Sequence, residues 1–206
     1  MKKLIVSLGL ALTLSFGATG DEGIEALEKG DYKTALIIFE DLASKNDTKA
    51  KFNLGFMYYN GYGVKQDYKK ALEWYEKAAD KGLKEAQFNV GAMYDNGERV
   101  KQDYKKAIEW YEKAAAQGYA MAQFNLGNMY ENGYGVKQDY KKAKEWWEKA
   151  AAQGYPLAKN NLGVIYDNGF GVKQDKKIAK KLFGEACDGG EQIGCDNYKK
   201  LNQKGY

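Results

Sequence analysis

Apolar residues recur between residues 50 and 190 in two alternating patterns, both with a helical period. Ala86, Val90, Met93 and Tyr94 fall at i, i+4, i+7 and i+8, one face of a 3.6-residue helix. Ala71, Trp74, Tyr75, Ala78 and Ala79 fall at i, i+3, i+4, i+7 and i+8, the stripe of a second, amphipathic helix. The alternation repeats every 36 residues: Ala50, Ala86, Ala122 and Ala158 correspond, as do Gly55, Gly91, Gly127 and Gly163. Tyr58, Tyr94, Tyr130 and Tyr166 keep the same register, and so do Trp74, Trp110 and Trp146. A fixed period of this length marks a repeat architecture. A glycine inside a helix costs about 1 kcal/mol relative to alanine, so its recurrence predicts close approach of a neighbouring helix.

The polar residues between the stripes supply the turns. The first helix of each unit ends at Asn-Gly (Asn60-Gly61 and its equivalents), where glycine tolerates the left-handed conformation. A Gly-Tyr-Gly-Val-Lys-Gln loop then leads to Asp67, a good N-cap. Arg99 replaces the second loop glycine in one unit, which predicts a local departure or strain there. Glu73 and Lys77, with their equivalents, form i,i+4 pairs on the second helix. One such hairpin cannot bury both its faces, so successive hairpins must stack into a continuous core. Residues 21–49 read as a shortened N-terminal capping unit, 50–190 as four full units, and 191–206 as a polar C-terminal capping helix.

The first twenty residues are a separate object. Lys2 and Lys3 precede a thirteen-residue apolar run, Leu4 to Phe16, and Ala18-Thr19-Gly20 follows with small residues. The pattern predicts a signal peptide cleaved after Gly20, an exported chain that is periplasmic or secreted, and no stable membrane insertion after cleavage.

The pattern Ala-x-x-x-Leu-Gly-x-x-Tyr-x-x-Gly-x-Gly-Val-x-x-Asp-x-x-x-Ala-x-x-Trp-Tyr-x-x-Ala-Ala-x-x-Gly, which runs here from Ala50 to Gly82, resembles the Sel1-like repeat, a relative of the tetratricopeptide repeat. The resemblance implies an all-α, right-handed α/α solenoid of stacked helix–turn–helix units that binds protein or extended peptide. The last unit, with Ala-Cys-Asp-Gly-Gly-Glu-Gln-Ile-Gly-Cys, resembles the secreted cysteine-rich Sel1-like proteins of bacteria. That likeness implies a disulfide between Cys187 and Cys195 in a monomeric exported protein. Cys187 stands late in one helix and Cys195 early in the next, which can bring their Cα atoms within the roughly 4.4–6.8 Å that a disulfide needs. The alternative is a redox or metal-binding pair; with no histidine and no other cysteine, a metal site lacks ligands.

Composition narrows the chemistry further. The 44% of hydrophobic residues excludes a disordered chain. The net charge of +4 is small and both signs interleave, without the basic concentration a nucleic-acid binder carries. No histidine is present, and no P-loop, nucleophile-elbow or zincin motif occurs, so neither a cofactor nor a catalytic residue is expected. Some cysteine-rich relatives carry a β-lactamase label, and the resemblance therefore brings in β-lactam binding or hydrolysis as an alternative. Ser44 beside Lys45 has the wrong spacing for that nucleophile. A purely structural spacer is the third reading.

In the related solenoids the first helix of each pair lines the concave surface. Asn53, Asn89, Asn125 and Asn161 repeat on that helix. An amide side chain both donates and accepts, so such a ladder can hold an extended peptide backbone; the alternative is that these asparagines bond to neighbouring helix ends or loops. Positions that vary between units are the candidates for specificity: Phe56, Ala92, Asn128 and Val164, then Tyr59, Asp95, Glu131 and Asp167. The acidic row Asp95, Glu131 and Asp167 favours a basic partner. Trp74, Trp110 and Trp146 are expected in the core rather than at a ligand, because they recur at one helical position.

Overall fold

The computed structural model describes residues 18–97 and 100–206. These form eleven helices and, among the described residues, no strand: α1 (Gly20–Glu28), α2 (Tyr32–Ser44), α3 (Thr48–Asn60), α4 (Tyr68–Ala79), α5 (Lys84–Asn96), α6 (Tyr104–Ala116), α7 (Ala120–Asn132), α8 (Tyr140–Ala152), α9 (Pro156–Asn168), α10 (Lys176–Asp188) and α11 (Gln192–Gln203). Each helix packs on its neighbours in the chain, which gives the expected α/α solenoid. The expectations for the apolar run Leu4–Phe16 and for Arg99 fall outside the described residues. Helix α1 starts at Gly20, where Thr19 and Glu22 form a reciprocal capping box.

The punctuation read from the sequence is present. Asp67, Asp103, Asp139 and Asp175 cap α4, α6, α8 and α10, each accepting from a backbone N–H in the first turn. Gly61, Gly97, Gly133 and Gly169 end the first helices with φ between 67° and 76°. The loop glutamine adds a clamp: Gln66, Gln102, Gln138 and Gln174 each donate to a carbonyl in the last turn of the preceding helix, that of Tyr59, Asp95, Glu131 and Asp167. Chain polar groups at these helix ends are thereby satisfied without side chains from other units.

The helix glycines face aromatic rings. A Cβ built on Gly55 would lie 2.6 Å from the Tyr75 ring, on Gly91 2.7 Å from Tyr111, on Gly127 2.2 Å from Trp147, and on Gly163 2.5 Å from Phe183. The N-terminal unit repeats the contact with Gly23 against Phe39, at 2.6 Å. These rings are almost fully buried. Trp147 also satisfies its indole N–H, which donates to the Phe124 carbonyl at 3.2 Å. The three repeating tryptophans are the exception to the expected core. Trp74, Trp110 and Trp146 are only half-buried; the residue after each of them holds the core position. Each packs back on the cluster of the preceding unit and carries a lysine ammonium over its outer face: Lys77, Lys113 and Lys149, at 4.0, 3.5 and 3.8 Å.

Units are joined by polar and aromatic contacts that the period repeats. Gln117 donates to Gln87 and to the Gly82 carbonyl, each at 2.8 Å, and Gln153 donates to Gln123 at 2.8 Å. Loop aromatics stack on the first residue of a second helix one unit back: Tyr62 on Tyr32, Tyr134 on Tyr104, and Phe170 on Tyr140. At the C-terminal end Cys187 and Cys195 form a disulfide, with Cα atoms 4.5 Å apart, that ties α11 to α10.

Two outcomes test this packing. Gly127→Ala forces a methyl group into the Trp147 ring and should cost about 2–3 kcal/mol in urea denaturation, whereas Gly184→Ala, whose added methyl would meet only the Tyr198 ring at 3.4 Å, should not lower stability. Cys187→Ala should cost about 2.5 kcal/mol in the chain-entropy model. Amide exchange should rise in α11 and not in α3–α8, since repeat stability is built from nearest neighbours.

Candidate interaction surface on the first helices

The face formed by α3, α5, α7 and α9 carries both the repeating asparagines and the varying positions. α11 continues it: Gln192 follows Pro156 by one period, so Asn197 is the equivalent of Asn161. The ladder therefore has a fifth member, which a further step of 36 residues reveals in the sequence.

The asparagines from Asn89 onward meet side chains across the unit boundary. The Asn89 amide of α5 lies near the Tyr75 hydroxyl of α4, and the Asn125 amide of α7 near the Tyr111 hydroxyl of α6, and each opposes part of the shift that burial imposes on its phenol. Burial pushes both hydroxyls far above the ordinary phenol range, so they stay neutral donors and acceptors. In the next two units the hydroxyl is gone, because Trp147 and Phe183 hold the ring position. There the asparagines find each other: Asn161 donates to Asn128 at 3.3 Å, Asn160 donates to Asn161 at 3.4 Å, and Asn197 donates to Asn160 at 3.1 Å. Asn160 stands where the earlier units have Phe52, Phe88 and Phe124, and it is nearly buried. Asn128 thus serves this network as well as varying between units. For Asn53 only its half-buried place on α3 is fixed.

The acidic row divides. Asp95 accepts from the Tyr111 hydroxyl at 3.2 Å. Burial raises the Asp95 carboxyl above its ordinary value, and that hydrogen bond partly opposes the shift. Burial alone raises Glu131. Neither has a salt-bridge partner among the described residues. Asp167 differs, because Lys176 reaches its Oδ1 at 2.6 Å. Lys176 replaces the tyrosine found at Tyr68, Tyr104 and Tyr140, a substitution distant enough in sequence that the row reads as uniform.

Between α3 and α5 the face holds a pocket of about 260 Å³, lined by Phe56, Tyr59, Asn60, Tyr75, Asn89, Ala92, Met93 and Asn96. Its walls are aromatic and aliphatic, with amide groups at Asn60, Asn89 and Asn96, a mixture suited to one side chain of a ligand and its backbone. Elsewhere, Ser44 Oγ donates to the Asp41 carbonyl and Lys45 sits on the Asp41 carboxylate, each at 2.6 Å, so both groups are engaged locally. No group of three or more metal-binding side chains occurs among the described residues, and none of their helices is long and apolar enough to cross a membrane.

Comparison with known proteins agrees with this architecture. The Sel1 repeat model matches four times, at residues 48–83, 84–119, 120–155 and 156–191. The Sel1 repeat protein of Oxalobacter formigenes is 36% identical over 88% of this chain and 74% of its own, with a TM-score of 0.83. The protective antigen c5321 of uropathogenic Escherichia coli, which has an SLR fold, is 33% identical over 92% of this chain, with a TM-score of 0.82; the present chain spans 45% of that antigen. Helicobacter pylori cysteine-rich protein B is 28% identical over 65% of this chain and 96% of its own, with a TM-score of 0.51. No curated protein matches. With four consecutive matches in register with its helical hairpins, the chain belongs to the Sel1 repeat family.

Proposed function

We propose that this protein is an exported scaffold, periplasmic or secreted, that binds a protein or extended peptide along the concave face made by its first helices. Sel1 repeats mediate protein–protein interaction. The observation that carries the reading is the pocket between α3 and α5, set in a face that carries the asparagine ladder, whose last members Asn161 and Asn197 bond to amides of the preceding unit. An amide that spends one hydrogen bond on a tyrosine or another asparagine keeps others for a ligand backbone. The export reading draws on the apolar leader Leu4–Phe16 and on the Cys187–Cys195 disulfide, which persists in oxidising compartments.

The two half-buried carboxylates fit the same function. A charge removed from water without a cation destabilises the folded chain, a feature binding surfaces retain against stability. The sign follows from the raised folded-state values: any stabilisation is present below the ordinary carboxyl value and is lost as pH rises through the folded one. Glu131→Gln should therefore melt at the same temperature as the parent or higher at neutral pH, with the gap closing on acidification. A lower melting temperature at neutral pH would mean that Glu131 serves the fold.

The scaffold reading itself is tested by crosslinking pull-down from cell envelope and medium with the chain lacking residues 1–20 as bait. An Asn89→Ala, Asn125→Ala variant of confirmed helicity should capture the partner at least about tenfold less, the loss of roughly one good hydrogen bond. Equal capture by both baits would move binding off this face, and capture by neither would favour a spacer.

A further inference from the structure

Three features of the first-helix face lie side by side. The pocket between α3 and α5 is lined mainly by Phe56, Tyr59, Ala92 and Met93. Asp95 stands next to the pocket residue Asn96 on α5. Glu131 holds the equivalent position one unit further along, on α7.

The molecule shows what a carboxylate at this repeat position accepts. In the last unit Asp167, the equivalent of Glu131, holds the Lys176 ammonium at 2.6 Å from Oδ1, and the same ammonium lies 3.3 Å from the Asp167 carbonyl. That pair fills the site with a group from the chain's own α10. The two preceding units have tyrosine, Tyr104 and Tyr140, where α10 has Lys176. Asp95 and Glu131 occupy the same repeat position, and among the described residues neither holds a cation.

We propose that this face binds an extended polypeptide segment carrying a bulky apolar side chain followed, about one repeat further along, by lysine or arginine. The apolar side chain enters the pocket between α3 and α5, and the cation pairs with Asp95 or Glu131. The inference rests on the scaffold reading and specifies its partner. Charge complementarity selects the occupant: a half-buried carboxylate repels an acidic segment and gains from an ammonium or guanidinium that replaces its lost hydration. Amide groups at Asn60, Asn89 and Asn96 line the pocket and can meet the ligand backbone.

The test is selection of short random peptides displayed on phage against the immobilised protein. The enriched pool should carry lysine and arginine at least about threefold over the input, with an aromatic or large aliphatic residue nearby. On an Asp95→Asn, Glu131→Gln variant the basic preference should vanish. On Ala92→Phe, which fills the pocket, the apolar preference should vanish while the basic one remains. Asp167→Asn should leave both, since its carboxylate already holds Lys176. Circular dichroism of each variant excludes misfolding. A pool without basic preference, a pool unchanged on the double variant, or no enrichment at all overturns the inference. If the envelope partner is still captured in the pull-down when that happens, the scaffold reading stands and only the basic ligand is lost.

Discussion

The close contact between a helix glycine and the ring of the following helix sets the geometry of every unit. A ring lies where a Cβ would be at Gly55, Gly91, Gly127 and Gly163, so the two helices of a hairpin meet nearer than alanine would allow. The loss of helix propensity, about 1 kcal/mol per glycine, is offset by burial of a whole aromatic side chain, about 1.5–3 kcal/mol. The glycine is constant and the ring varies, from tyrosine to tryptophan to phenylalanine. What the hairpin needs is a flat group against bare backbone, and the identity of the ring is left to other demands.

Those other demands are visible at the ring's far edge. At Tyr75 and Tyr111, the ring's hydroxyl reaches the first-helix face and lies near an asparagine of the next unit. In the last two units, where tryptophan or phenylalanine stands there, the asparagine is kept and has an amide partner, Asn128 for Asn161 and Asn160 for Asn197. A buried amide without a partner costs of order 1–3 kcal/mol, so the nearly buried Asn160 depends on its neighbours Asn161 and Asn197. Asn160 occupies a position that is phenylalanine in three other units; a nearly buried polar side chain there makes sense only as part of this network.

Much of this was legible in the sequence. The 36-residue offset exposes the hairpins, the Asp caps, the Asn-Gly ends and the need for close approach at the helix glycines, because each of these is a local requirement repeated four times. Reading failed where two residues compete for one role. Trp74 and Tyr75 both lie on the apolar stripe, and the larger one was expected inside; the ring that fits against glycine is Tyr75, while Trp74 keeps one face toward water under Lys77. The pairing of Lys176 with Asp167 was hidden for a different reason. It crosses the loop between two helices, and no periodicity reports on a contact formed by a residue that breaks the period.

That last distinction bears on how such a chain acquires a function. In a solenoid each unit contacts only its neighbours, so core positions are copied and positions off the stacking surface are free to change. Tyr59, Asp95, Glu131 and Asp167 form a row that the period does not copy, and the differences among them run in one direction along the chain. The row begins with a tyrosine at the wall of an apolar pocket, continues through two carboxylates raised by burial, and ends with a carboxylate closed off by its own lysine. Identical repeats would present a ligand with several equivalent registers, none favoured over the next. A graded row lifts that degeneracy, because a segment shifted one unit forward would set its apolar group beside a half-buried acid, and one shifted one unit back would set its cation beside the tyrosine. The breaks in the period, rather than the period itself, are what give this face a direction and a preferred register.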